Sequence, residues 1–362
     1  MSALMTASIS DVATQAGVSV ATVSRALRGL PNVAPSTRDR VLDAARDLDY
    51  VADPNASRLA AGRTRSVGMV VPLFTQWFFS QCVAGAEGVL AAGGYETLLY
   101  NIGSHESRRR FLTELPFRKR VDGIVLVDLP VSEAEMATLC EAGVPIVTIG
   151  LRTEQAPSIT IDNYGAACTA TRHLVNLGHE RIGMISNLPD DPRHFHAPVD
   201  RRRGYQDVLA EHDLELRPEL DVPGNFSLEG GAEAMAQLVA VDRPPTAVFA
   251  QSDEMAIGAL KTIHDAGLRV PEDISILGFD DHDMAEFVGL TTIAQPVVQH
   301  GELAAELLLE RADRPDAEPT HVEAPTKLIV RDTTAPRHPA RRDGPHRPRR
   351  ARPLAGPPRG LP

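Results

Sequence analysis

The 362-residue sequence predicts a small all-α head followed by an α/β body of two lobes. Two short helical patterns joined by a glycine open the described motifs, and short apolar runs then alternate with helical patterns from residue 66 onwards. Ser8 stands three residues before Asp11, the spacing of a capping box, so a helix starts near Ile9. Ile9, Val12, Ala13 and Ala16 share one face of it. Gly17 ends it in a left-handed turn, and Ser19 caps a second helix. There Val23 and Leu27 point inward, while Val20, Ala21, Ser24 and Arg25 take the open side. Pro35 suits the first position of a third helix, running through Ala45 with Val41, Leu42 and Ala45 inward. Three short helices around one small core form a helix-turn-helix unit, whose second helix lies in the major groove of DNA. A plain helical bundle is the alternative, but it gives no reason for a polar Ser/Thr/Arg face beside Gly17.

Residues 53–65 form a linker with helical potential, too short to be a stable helix alone. The body begins with an apolar strand at 67–73 and a helix through Glu87 to Ala92. Further buried strands are expected at 95–100, 123–127, 145–149, 181–186, 246–250 and 274–279. Helices fall between them, such as 166–177 and 254–266. This alternation implies parallel sheets covered on both faces. A break near Asp162 divides the body into two lobes, and ligands of such sheets bind at the carboxyl ends of the strands.

Charge follows the same division. Residues 1–65 hold eight Arg against six Asp, and 335–362 hold eight Arg against one Asp. With a total of −11, residues 66–334 carry about −20. So acidic a body repels DNA, which confines binding to the basic head. There is no signal-peptide pattern and no apolar run of membrane-spanning length, so a cytoplasmic protein that does not engage a membrane is expected. Cys82, Cys140 and Cys168 lack metal-ligand spacing and are read as reduced core thiols. The Pro/Arg/Gly-rich stretch at 335–362 is expected to be disordered, its charge chiefly solvated.

The string Asp11-Val12-Ala13-Thr14-Gln15-Ala16-Gly17-Val18-Ser19, continued by Thr22-Val23-Ser24-Arg25, resembles the opening of the LacI/GalR family of transcriptional regulators. Thr37-Arg38-Asp39-Arg40-Val41 and Leu48-Asp49-Tyr50 extend the likeness, as do His173–Gly183 and Ile274–Asp281. The resemblance covers residues 8 to 331. It implies a head at 8–52, a hinge helix at 53–65 and a two-lobed effector-binding and dimerisation domain at 66–334, ahead of the 335–362 tail. The lobes would be 66–161 with 293–319, and 162–292 with 320–334, in a fold shared with periplasmic sugar-binding proteins. By resemblance Val20, Ala21 and Arg25 read base edges, Arg25 through the bidentate geometry that suits guanine. Ser19, Thr22 and Ser24 touch the backbone or position the helix. Arg28 stands where relatives often have Asn and adds a phosphate contact. Ala34, where Ser is common, is a weaker cap. Leu59 matches a leucine that wedges into the minor groove, and Ala56 lets two hinge helices meet. The alternative for this segment is a linker whose Leu59 packs on the body.

For the effector, Arg201 matches the family arginine that grips the ligand and Asp280 its acidic partner. Ser252 falls where sugar-binding relatives have Asn. Phe226 and Phe79 match ring-stacking positions, and Gln295 a glutamine at the cleft edge. Ion pairing is the alternative for Arg201 and Asp280, and core packing for the two rings. Stacking faces with hydroxyl-gripping Arg and Asp suit a sugar first and a nucleobase-like ring second. No nucleotide-binding glycine motif, P-loop, zinc-protease motif or nucleophile elbow is present. Asp190 to His196 holds two histidines without a matched carboxylate and reads as a surface loop. No cofactor, metal or catalytic residue is therefore assigned. A homodimer that represses transcription from double-stranded operator DNA is expected, with no leucine heptads for a tetramer. The rival reading is a sugar-binding module without regulatory activity.

Overall fold

The computed structural model describes residues 7–27, 29–50, 63–187 and 195–337. Arg28, the hinge positions Ala56 and Leu59, and nearly all of the 335–362 segment lie outside the described residues. The head contains α1 (Ile9–Ala16), α2 (Val20–Leu27) and α3 (Pro35–Asp47). The capping box forms as spaced: Ser8 Oγ accepts the Asp11 amide at 3.3 Å, and the Asp11 carboxylate accepts the Ser8 amide at 2.7 Å. Gly17 adopts φ 64°, a conformation that costs other residues steric strain. Val12, Val23 and Val41 meet in a core completed by five alanines. Two positions differ from expectation. Leu42 is exposed, because Val41, Ala44 and Ala45 make the i, i+3, i+4 stripe of α3 and Leu42 lies beside it. Leu27 is only half-buried, and Ala26 takes the central contact.

The chain divides into two compact units, one of Met1–Asp162, Asp190–Val199 and Gln295–Thr326, the other of Asn163–Pro189, Asp200–Ala294 and Lys327–Pro362. The first unit holds β1 (Ser66–Val71), α4 (Trp77–Ala92), β2 (Glu96–Asn101), α5 (His105–Glu114), β3 (Gly123–Val127), α6 (Glu133–Cys140), β4 (Ile146–Ile149) and β5 (Ser158–Thr160). The second holds α7 (Asn163–Asn176), β6 (Ile182–Ser186), most of α8 (His196–Glu211), β7 (Asp221–Pro223), α9 (Leu228–Ala240), β8 (Ala247–Ala250), α10 (Asp253–Asp265), β9 (Ser275–Asp280), α11 (Asp283–Phe287) and β10 (Thr291–Ala294). The chain then returns to the first unit for α12 (Val297–Asp313) and β11 (His321–Glu323), and ends its strands with β12 (Lys327–Ile329) in the second.

The first sheet runs β11-β5-β4-β3-β1-β2 with every pair parallel. The second runs β12-β10-β9-β8-β6-β7, parallel except for the antiparallel β10–β12 pair. Strands β1 and β3 are buried at every position, and apolar at all but Ser66, because helices cover both faces. Val67, Met69 and Val71 pack toward α4 and α12, while Val70 packs toward α5 and α6. The same logic makes β6, β8 and β9 continuous buried runs.

The expected lobe division at 319/320 differs from the structure. His321–Glu323 pairs in parallel with Ser158–Thr160, so the last passage between units comes after Thr326. A three-residue His-Val-Glu strand carries no apolar run to reveal it. Phe195 also belongs to the first unit. All three cysteines are free, but Cys140 is only half-buried, unlike Cys82 and Cys168. No helix among the described residues is long and apolar enough to cross a membrane.

Candidate functional site

On the head, α2 presents Val20, Ala21 and Arg25 to solvent, and Val23 and Ala26 to the core. Ser19 caps the helix, its Oγ accepting the Thr22 amide at 3.2 Å and lying 2.9 Å from Thr22 Oγ1. Ser19 and Thr22 therefore hold the helix start, and Ser24 is half-buried beside them. Ala34 gives α3 no side-chain cap, and Pro35 at its first position compensates in part. The exposed row is short, which suits close approach of the helix to base edges, and Arg25 is its one cation.

In the second unit the strand order β7-β6-β8-β9 reverses direction between β6 and β8. Such a switch point opens a crevice at the carboxyl ends of its two strands. The residues that follow those strands are Asn187 and Gln251, and the Asn187 amide donates to Gln251 Oε1 at 3.3 Å. Arg201, one turn into α8, reaches this place. Its Nη1–H donates to the Gln251 carbonyl at 2.6 Å and its Nε–H to Asn163 Oδ1 at 2.9 Å. Its guanidinium carbon lies 3.5 Å from the centroid of the Phe279 ring. A cation set on an aromatic face away from water interacts strongly with it. Asp280 follows Phe279 directly, so Arg201 and the end of β9 are brought together, as the sequence reading requires. Both side chains are buried, Arg201 at 5% and Asp280 at 9% exposure.

The backbone at Asp280 has φ 115° and at Asp281 φ 60°, both costly for a residue with a Cβ. Asp281 is fixed by Arg331, whose Nη2–H donates to its Oδ1 at 2.7 Å. Asp253, at the start of α10, is fully buried. Its Oδ2 accepts the His282 amide at 2.8 Å and its Oδ1 the Thr292 hydroxyl at 2.7 Å. Burial, then the nearby charge of Asp280, pushes the Asp253 carboxyl well above the usual carboxylate range. Burial likewise lowers the His282 imidazole, opposed by Asp283.

Ser252 is buried and caps α10, its Oγ accepting the Met255 amide at 3.3 Å. Phe226 follows β7 at φ 52°, half-buried against the unit's core. Phe79 and Gln295 belong to the first unit. Phe79 is buried in the first turn of α4, edge-on to Phe78 at 5.3 Å and 6.4 Å from Phe195. It is thus a member of that unit's core, on the helix that follows the loop after β1. Gln295 is buried directly after β10.

Asn163, Asn187, Gln251, Phe279 and Asp253 are missing from the sequence reading. Asn187 and Gln251 carried a usable signal: each is the first polar residue after a buried parallel strand. Chemically, a guanidinium offers only donors and a carboxylate only acceptors. The pair together addresses both the oxygens and the hydrogens of a hydroxylated ligand.

Residues 8–53 match the family model of bacterial regulatory proteins, lacI family, and residues 171–334 that of the periplasmic binding protein-like domain. Among curated relatives, catabolite control protein A of Priestia megaterium is 34% identical over 334 residues, covering 91% of this chain and all of that protein. The HTH-type transcriptional repressor CytR of Escherichia coli K12 is 36% identical over 84% of this chain and 89% of its own. Among solved structures, a complex of the transcriptional regulator CelR with cellobiose is 33% identical, with TM-score 0.66 over 90% of this chain and 99% of that one. The lac repressor dimer bound to operator and the anti-inducer ONPF is 26% identical, with TM-score 0.77 over 91% and 99%.

Proposed function

The chain belongs to the lacI family of bacterial regulatory proteins, and we propose that this DNA-binding transcriptional regulator is a dimeric, cytoplasmic repressor whose operator affinity is set by a small hydroxylated ring, a sugar first and a nucleobase-like compound second. The observation that carries the effector reading is the buried Arg201 at the β6/β8 switch point. It is stacked on Phe279, hydrogen-bonded to Asn163 and Gln251, and placed beside Asp280. Relatives support the ligand class, since one solved regulator holds cellobiose and another ribose.

In this reading Arg201 and Asp280 grip hydroxyl groups, and Phe226 offers a ring face. Ser252 offers its hydroxyl hydrogen, the oxygen being engaged as a cap. Phe79 and Gln295 are carried as effector contacts of the first unit on resemblance alone. Val20, Ala21 and Arg25 read bases, while Ser19, Thr22, Ser24 and Arg28 position the helix or meet phosphates. Leu59 of the 53–65 hinge wedges the operator centre. No step of this scheme calls for catalysis, a cofactor or a metal.

The test has two arms. A thermal-shift screen of sugars and nucleosides should raise the melting temperature with one class, because a ligand at about a hundred times its Kd stabilises by about 2.7 kcal/mol. Operator duplexes selected from a random library should then be pseudo-palindromic, as a twofold dimer requires. Anisotropy should report a changed affinity when the hit is added. A hit that binds and leaves operator affinity unchanged, or a single asymmetric half-site at saturation, would refute the scheme.

A further inference from the structure

We propose that Asp253 is a positioning residue: its buried carboxyl holds the strained Asp280–His282 turn in shape and ties that turn to β10, the strand that leads the chain out of the second unit. The proposal rests on the reading of Asp280 as an effector ligand and assigns what keeps that ligand in place.

Non-glycine residues at φ 115° and 60° persist only where their surroundings fix them from several sides. Two ties do so here. Asp281 is held by Arg331, which also donates from Nη1 to the Leu290 carbonyl at 2.8 Å. The next amide, His282, is held by Asp253 Oδ2 at 2.8 Å. The other Asp253 oxygen takes the Thr292 hydroxyl at 2.7 Å, and Thr292 stands two residues before Ala294, where β10 leaves the unit. One carboxyl thus joins the turn to the exit strand.

Three features set Asp253 apart from an ordinary acidic residue at a helix start. Such a residue gains from the helix dipole while exposed, yet Asp253 is fully buried. Its hydrogen bonds run to His282 and Thr292 rather than to the amides of α10. The sheet also makes room for it: a Cβ at Gly278 would lie 2.0 Å from Asp253 Oδ1, so β9 can carry only glycine there. A buried polar group is costly unless its partners need it. Asn has the shape of this side chain and keeps an oxygen that can accept the His282 amide, so it is the nearest substitute.

Hydrogen exchange of the full-length protein, resolved to single amides, tests this without any effector. In Asp253→Ala the amides of residues 281–283 should exchange about tenfold or more faster, the ratio one lost buried hydrogen bond supports. The amides of β6 and β8 should keep their protection. Asp253→Asn should restore the wild-type pattern, with its Oδ1 accepting from His282 and its NH2 facing Thr292. Asp253→Ser keeps a polar helix start and a better chance of folding, and should show the same local loss as Ala. Gly278→Ala, which drives a methyl into the carboxyl, should also reproduce it. A protected His282 amide in the Ala and Ser variants, an even loss across β6, β8 and β9, or failure of Asn to restore protection would overturn the proposal. Asp280→Asn is run separately in the sugar and nucleoside screen. If it responds like wild type while Asp253→Ala shows the local loss, the effector reading fails and the tie stands.

Discussion

Replacing Arg201 by Met separates sensing from DNA reading. Met keeps a chain of similar length against Phe279 and removes the charge and every donor. Buried hydrogen bonds disappear, among them those to Asn163 Oδ1 at 2.9 Å and to the Gln251 carbonyl at 2.6 Å, together with the stack on Phe279. Bonds from a charged donor contribute about 1.5–3 kcal/mol each, and neighbours of this kind are not additive, so a loss of roughly 3 kcal/mol in stability is expected. At about 2–4 °C per kcal/mol for a unit of this size, the melting temperature should fall by roughly 6–12 °C. Loss of the grip on the effector adds a second, distinct effect. One charge-assisted bond of about 2 kcal/mol corresponds to roughly a thirtyfold weaker Kd. The assay is a paired titration, with effector binding by calorimetry and operator binding by anisotropy on the same preparation. Operator affinity without effector should stay within about twofold, since the head folds around its own core. Unchanged effector affinity in a folded Arg201→Met protein, or lost operator binding with effector affinity intact, would refute the reasoning.

Arg25→Ala should do the reverse, lowering discrimination at one operator position by about 1–3 kcal/mol and leaving effector affinity unchanged, as binding to single-base operator variants would report. Ser8→Ala breaks the capping box of α1 and should cost about 1 kcal/mol of head stability, read by urea denaturation of the full chain followed through head amides. His300, buried on α12 with neither ring nitrogen hydrogen-bonded among the described residues, has its pKa lowered by burial to about 4. The fold thus holds it neutral while the unfolded chain binds a proton near pH 6.5. Its contribution is full above pH 6.5 and declines as pH falls toward 4, by roughly 3 kcal/mol in all. Denaturant midpoints at pH 7 and 4.5 should diverge less in His300→Leu than in wild type, and an equal divergence would count against this assignment.

How much of the molecule was legible from residues alone followed the range of the interactions involved. The head is written in local signals: Ser8 with Asp11, Gly17 at its positive φ, and Ser19 before α2. Each acts within four residues, so each appears in the sequence. The central strands were visible because burial on both faces gives each an apolar run, interrupted only at its ends by Ser66, Ser275 and Asp280. The three-residue strands β7 and β11 were not, since each exists through a pairing partner far along the chain. Arg201 and Asp280 were reached only through the resemblance to a known family. Nothing local distinguishes Arg201 from Arg202 and Arg203. Only the fold shows that Arg201 turns inward onto Phe279, that Arg202 pairs with Asp221 at 2.9 Å, and that Arg203 lies over Tyr164. Asp253 was invisible for the same reason, its partners standing 29 and 39 residues away.

The places where local rules fail are themselves informative. Among the described residues of the second unit, five that are not glycine have positive φ. Asp213 lies at an ordinary helix end, while Asn225 and Phe226 follow β7, and Asp280 and Asp281 end or follow β9. Four of the five thus gather at the carboxyl ends of strands, where a parallel sheet binds its ligand. Each costs about 1–3 kcal/mol unless neighbours fix it, an amount a marginally stable fold does not carry without compensation. At Asp280 the compensating ties are visible in Asp253, Arg331 and the Arg201–Phe279 stack. Strain held by specific partners keeps a carboxylate and an aromatic ring aimed before any ligand arrives, and so lowers the ordering cost of binding. The strained backbone and the buried arginine, which are independent observations, therefore converge on one end of the second sheet, the end to which the proposed effector site is assigned.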